Sequence, residues 1–131
     1  MFLEKGLNVV AVDRDPQDIP GARFIRADIE NGPWPLAGET FDGIVVTNYL
    51  HRPLFEVLKR SLKDNGVLIY ETFMVGNERF GRPSNPAFLL RAGELLEAFA
   101  GLELLGFEQG DVTSPKPATI QRLCAVRGQT V

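Results

Sequence analysis

The chain has 131 residues, 44% of them hydrophobic and 24% charged, with a formal net charge of -3. That length predicts one domain with a real core, and a weakly acidic balance with no basic cluster argues against non-specific nucleic-acid binding. A single cysteine, Cys124, and a single histidine, His51, exclude an internal disulfide, a cysteine zinc cluster and a multi-histidine metal site; no apolar run approaches the ~18 residues of a membrane span, the N-terminus lacks a signal-peptide pattern, and a reducing cytoplasm fits the whole.

Residues 1–5 read as the last turn of a helix stopped by Gly6. Residues 7–12 are an apolar, valine-rich run, as expected of a buried parallel strand, and the run ends in Asp13. Residues 17–21 have room for one helical turn, restricted by Pro16 and Pro20. Residues 22–27 read as a short strand followed by Asp28, and residues 31–38 as a loop of prolines and glycines around Trp34. Residues 41–47 predict another buried strand, and residues 48–53 a polar and aromatic crossing that holds Asn48, Tyr49 and His51. Helical spacing of apolar residues over 54–62 predicts a helix. Asp64-Asn65-Gly66 reads as a turn, and residues 66–70 as a strand running into Glu71. The glycine- and proline-rich stretch 74–88 is aperiodic, and loops of that length often carry function. Residues 93–99 predict a short amphipathic helix. Residues 102–106 and 118–126 predict two strands joined without a helix, and therefore an antiparallel hairpin. Strands alternating with helices before that hairpin predict a mostly parallel sheet with helices on its faces.

Asp13 is the most informative single residue. In nucleotide-binding α/β domains an acidic residue at a strand tip binds ribose hydroxyls, about 20 residues after a glycine-rich loop. Here twelve residues precede it, and they contain no G-x-G-x-x-G. The residues leave plainer roles open as well. Asp13 can cap a turn with Asp15-Pro16, Asp28 can cap a helix, and Asn48 can be satisfied by backbone in a turn. His51 can cap the helix that follows it, and Glu71, at the end of an apolar strand, needs a partner or a cleft. Cys124 reads as a core residue. Arg79, Arg82 and Phe80 in the 74–88 stretch suit an anionic or aromatic substrate as well as solvent.

Four stretches in this order, Val9-Val10-Ala11-Val12-Asp13, Ala27-Asp28-Ile29, residues 41–48 and residues 62–70, make the chain resemble the class I S-adenosylmethionine-dependent methyltransferases, in particular the small tellurite-resistance-like ones. The resemblance runs from Phe2 to Arg127. It implies a Rossmann-like methyltransferase sheet, mostly parallel with a C-terminal antiparallel hairpin, N-terminally truncated. It implies S-adenosylmethionine as cofactor and a small-molecule acceptor, with neither nucleic acid nor membrane as partner. By the same resemblance Asp13 binds the ribose, with Arg14 beside it. Asp28 accepts from the adenine amino group, Ile29 packs on the ring, and Asn48 lies beneath the methionine part. Tyr49, His51, Glu71 and Arg79 fall on the substrate side. No catalytic acid–base residue is implied, because the sulfonium is already activated and catalysis is mainly alignment.

The family's first strand and glycine-rich loop have no counterpart in the chain. The strands at 7–12 and 41–47 then lose a shared neighbour, and unpaired buried backbone groups cost ~1–3 kcal/mol each. Three arrangements would repair this: a longer native protein, direct pairing of the two strands, or pairing with a second copy to give a homodimer. Three functions follow. One is methyl transfer through an incomplete cofactor site, and another is a non-catalytic remnant that dimerises as an interaction domain. The third, a fragment of a nicotinamide-dependent oxidoreductase, is disfavoured by the terminal hairpin.

Overall fold

The computed structural model describes residues 9–13, 22–26 and 38–128. Within them lie β1 (Val9–Asp13), β2 (Ala22–Arg26), β3 (Phe41–Thr47), α1 (Leu54–Arg60), β4 (Leu62–Phe73), α2 (Glu94–Ala98), β5 (Glu103–Val112) and β6 (Ala118–Val126). The strands form one six-stranded sheet in the order β2-β1-β3-β4-β6-β5. The first four in that order run parallel, and β6 pairs antiparallel with both β4 and β5. The expected parallel sheet with a terminal hairpin is therefore present.

β1 and β3 pair directly, in a register that runs from Val9 opposite Gly43 to Asp13 opposite Thr47. Direct pairing of the two strands, one of the three repairs the sequence leaves open, is present in the sheet. It keeps the ladder of both strands satisfied, which removes the cost of orphaned buried amides. Val9, Val10, Ala11 and Val12 are all buried, so both faces of β1 are covered, as an internal parallel strand requires.

The core lies on one side of the sheet. Val10 and Val12, Ile44 and Val46, Leu68 and Tyr70, Leu123 and Ala125 alternate along their strands and belong to one cluster with Leu54, Phe55 and Leu58 of α1 and Leu95 of α2. Phe55, Tyr70 and Phe99 meet edge-on or tilted with centroids 5.3 to 6.0 Å apart. α1 places Glu56 in its first turn and Lys59 and Arg60 in its last, matching the helix dipole. The opposite sheet face is more open. Ile69 is exposed there, and Cys124 is half-buried rather than the core residue its apolar neighbours suggest, because Leu123 and Ala125 take the core side.

Several bounds differ from expectation. The 54–62 helix ends at Arg60, and Leu62 already pairs with Phe41. Asp64-Asn65-Gly66 does turn, but as an interruption inside β4: the register passes from Phe41 opposite Leu62 to Gly43 opposite Val67. Asn65 sits there at φ 65°. β4 continues past Tyr70 to Phe73, and the strand expected over 102–106 extends to Val112. These extensions come from pairing with β6, which propensity alone does not register. The readings at residues 1–8, 14–21 and 27–37, which include the helix end, the Pro16–Pro20 turn and the Trp34 loop, lie outside the described residues.

Candidate functional site

The strand tips bring Asp13 and Asn48 to one end of the sheet. Asp13 is opposite Thr47, the residue before Asn48, so their backbones are about one strand spacing, ~4.8 Å, apart across the ladder. Ligands bind beyond such carboxyl ends in open α/β sheets. Asn48 has φ 54°, a left-handed conformation in which asparagine is tolerated better than other residues with a side chain. Its N–H donates to the Glu71 carbonyl at 3.0 Å, tying the tip of β3 to β4.

Two cavities open around Asn48. The first, of about 550 Å³, is lined by Asn48, Tyr49, Leu50, Thr72 and Phe73 from the sheet end and by Arg82, Pro83, Ser84, Asn85 and Phe88 from the 74–88 segment. The second, of about 440 Å³, lies between the tips of β1, β3 and β4 and the β5–β6 turn. Ala11, Val12, Val45 and Ile120 give it apolar wall, while Glu71, Lys116 and Arg122 supply charge. Asn48 and Phe73 line both cavities, so those two residues form the wall between them.

The expected substrate-side residues separate. Tyr49 lines the first cavity and Glu71 the second. Tyr49 is fixed through its carbonyl, which accepts from the Tyr70 hydroxyl at 2.8 Å; burial pushes that hydroxyl's pKa far up, so it stays a donor. Glu71 accepts from Arg122 at 2.9 Å, and Arg122 also bonds Glu108. His51 lines neither cavity; its carbonyl accepts from Leu54 N–H at the start of α1. Arg79 also lines neither. Its guanidinium donates to Asp111 at 2.7 Å, to Thr119 Oγ1 at 3.2 Å and to the Gly76 carbonyl at 3.0 Å, and it lies over the Phe80 ring. The Thr119 hydroxyl holds the Asp111 carboxyl below its ordinary value against the opposing effect of desolvation, with Arg79 adding to the lowering. Arg79 thus braces the segment, and the arginine of the 74–88 segment that lines a cavity is Arg82. Of the expected cofactor residues, Asp13 is placed by its backbone, while Arg14, Asp28 and Ile29 lie outside the described residues.

Two groups that hold the cavity wall, and a third that ties α2 to β6, carry no sequence signature. Arg52 donates to both Glu94 carboxylate oxygens, at 2.6 and 2.9 Å, and to the carbonyls of Ala87 and Leu89, which flank Phe88. Asn77, buried in the 74–88 segment, donates to the Pro83 carbonyl and accepts from the Thr119 N–H, each at 3.0 Å. Gln121, fully buried, accepts from the Leu95 N–H at 2.7 Å and donates to the Arg91 carbonyl. Each joins positions 26 to 42 residues apart, a range over which no periodicity or motif operates. Among the described residues no cluster of three or more metal-ligating side chains occurs, and no helix is long and apolar enough to cross a membrane.

No family model matches the chain, and no curated protein matches it. Solved structures do. TehB from Haemophilus influenzae superposes with a TM-score of 0.62 at 16% identity, covering 92% of this chain and 50% of that one. The N-methyltransferase NodS from Bradyrhizobium japonicum superposes at 0.63 and 11% identity, covering 98% of this chain and 93% of NodS. NodS in complex with S-adenosyl-L-homocysteine gives 0.60 at 15%, covering 93% and 67%. The chain thus spans half the length of TehB, and 93% and 67% of the two NodS chains. At these identities the likeness is one of fold.

Proposed function

We propose that this chain, which has the Rossmann-like fold of the class I S-adenosylmethionine-dependent methyltransferases, transfers a methyl group from S-adenosylmethionine to a small-molecule acceptor. The observation that carries the reading is the pair of cavities at the carboxyl end of the sheet, separated by Asn48 and Phe73. Methyl transfer needs two ligands held end to end with little acid–base chemistry, and two adjoining cavities provide that.

The second cavity fits the cofactor. Its volume is within the ~300–1,000 Å³ of small-ligand sites, its apolar wall suits the adenosyl part, and Ala11 and Val12, which precede Asp13 on β1, line it. There Asp13 would accept from the ribose hydroxyls, with Arg14 beside it, and Asn48 would hold the methionine part. Asp28 and Ile29 would contact the adenine. When bound, the cofactor supplies a methyl group on an already activated sulfonium. The chain's residues position and enclose: Asn48 and Phe73 set the approach between cavities, and the 74–88 segment, pinned by Arg52 and Asn77, screens the acceptor from water. The one cysteine is compatible with a reducing cytoplasm.

Calorimetric titration with S-adenosylhomocysteine tests this. Binding in the micromolar range, weakened at least about tenfold by Asp13→Ala through the lost charge-assisted hydrogen bonds, is expected. No heat from the unmodified chain would overturn it. A second reading has support from β5, an edge strand on which Leu104 and Leu105 are 50% and 59% exposed: a non-catalytic domain that dimerises through a sheet edge, leaving the cofactor site incomplete. Sedimentation showing a dimer, with no cofactor binding, would favour that reading.

A further inference from the structure

We infer that the first cavity is an acceptor site for an organic anion, a flat or apolar body carrying a carboxylate or similar acidic group, with Arg82 as its counter-charge. The inference rests on the methyltransferase reading for the word acceptor, but the binding class follows from the cavity alone. Its volume, about 550 Å³, suits a ring-sized molecule rather than a bare inorganic ion. Tyr49, Leu50, Phe73 and Phe88 supply apolar and aromatic wall. Arg82 is the one charged side chain among its described lining residues, and no carboxylate lines it. Every other arginine of the 74–91 stretch is spent: Arg79 on Asp111, Arg91 on Glu94 and Glu97. Arg82 has no ion-pair or hydrogen-bond partner among the described residues.

The wall that carries Arg82 is built rather than incidental. Asn77, 2% exposed, holds the carbonyl of Pro83, the next residue. Arg52 holds the carbonyls on either side of Phe88, and itself rests on Glu94, which is 4% exposed. Side-chain hydrogen bonds therefore fix the backbone on both flanks of the Arg82–Phe88 arc, from the buried Asn77 on one side and from the half-buried Arg52, anchored on the buried Glu94, on the other. A guanidinium without a carboxylate, presented beside aromatic surface on a fixed arc, is a recognition element for a planar anion. A cationic acceptor would meet like charge, and a neutral one would leave the guanidinium's directionality unused.

The test uses 2-naphthoate and its neutral isostere 2-naphthamide as probes, followed by NMR titration of the full chain. The naphthoate is expected to bind about threefold to fivefold more tightly than the amide, as one exposed charge-assisted bond allows. Arg82→Gln should erase that preference while amide binding stays unchanged. Arg60→Gln, an exposed arginine on α1 outside both cavity linings, should leave the preference intact. Equal binding of the two probes, binding of neither, or a preference that survives Arg82→Gln would each overturn the inference. S-adenosylhomocysteine titrated separately keeps the two proposals apart. Cofactor binding without naphthoate binding leaves the methyltransferase reading standing and removes this one; the reverse leaves an anion site without a methyl donor.

Discussion

Arg52 concentrates more of the fold's long-range order than any other polar side chain described here. Its guanidinium closes a bidentate pair on Glu94 and reaches two carbonyls of the 74–88 segment. Burial alone would push the Glu94 carboxyl up, but the Arg52 hydrogen bond, the Arg91 N–H and the charges of both arginines outweigh it and hold it below the ordinary value. A depressed acid stabilises the fold above its unfolded-state pKa, ~4.3 for glutamate, and that contribution disappears as pH falls through the lower native value. In Arg52→Ala the burial persists and the principal partner is gone, while the Arg91 N–H and charge remain, so the carboxyl moves up from its native value and the charged form is held less well. The expected cost at neutral pH is ~2–3 kcal/mol, at or below the low end for a broken buried pair because the Arg52 side chain is 38% exposed. Urea unfolding at about pH 7 and about pH 4.5 should show the gap to the unmodified chain narrowing in acid, as protonation relieves the stranded carboxylate. A gap independent of pH would show that Glu94 does not carry a buried charge. None of this is legible from the residues in order. Arg52 reads as a polar neighbour of His51 and Pro53, and Glu94 as a first-turn acid. What is legible of Asn48 is its place at the tip of β3: an asparagine directly after a buried strand tolerates φ 54°, and the role given to it there stays a proposal.

Among the elements, β4 shows how a local turn signal and a long strand coexist. Asp64-Asn65-Gly66 has turn chemistry, and it does turn, with Asn65 at φ 65°. The chain nonetheless stays in the sheet on both sides, because Leu62 pairs with Phe41 before the interruption and Val67 with Gly43 after it. The Asn65 N–H and the Gly66 carbonyl both bond Arg127, which locks the interruption against the end of β6. Gly66 is required there by space rather than by φ. A Cβ would lie 2.8 Å from the Lys63 carbonyl oxygen, inside the interruption, and 3.0 Å from that of Phe41, whose strand pairs with Leu62; both are backbone atoms rather than the ends of flexible side chains. Gly66→Ala should therefore cost ~1–3 kcal/mol, the range for overpacking, and lower the thermal midpoint measured by circular dichroism. An unchanged midpoint would mean that the interruption shifts freely, and that the long β4 is two strands. Sequence patterning located this turn and the hairpin, since both are written in neighbouring residues. It missed the lengths of β4 and β5, which are set by how far β6 runs alongside them.

At the scale of the molecule, the direct β1–β3 ladder decides whether the cofactor end of the sheet exists at all. The valine run of β1 announces a buried strand, and the resemblance implies a strand on either side of it, but nothing local says which strand. That choice follows from backbone satisfaction, since two parallel strands with no third between them satisfy their amides by pairing with each other. The register then brings Asp13 beside Thr47 and Asn48, so the arrangement of the candidate site depends on this one ladder. Native-state hydrogen exchange tests it without assuming any ligand. β1, β3, β4 and β6 each have two sheet neighbours, while β2 and β5 are edges. Amides of β3 that point to β1 should exchange with the slow core set of β4 and β6, at least about tenfold slower than outward amides of β5, since protection follows the cooperative unit a strand belongs to. Val10 and Val12, buried against the same cluster as Ile44 and Val46, should share that slow class. Fast exchange confined to β1 and the facing side of β3, with β4 and β6 still protected, would mean that the ladder opens on its own. Asp13 and Asn48 would then be held together only transiently, and the second cavity would need its ligand, or another strand, to complete it.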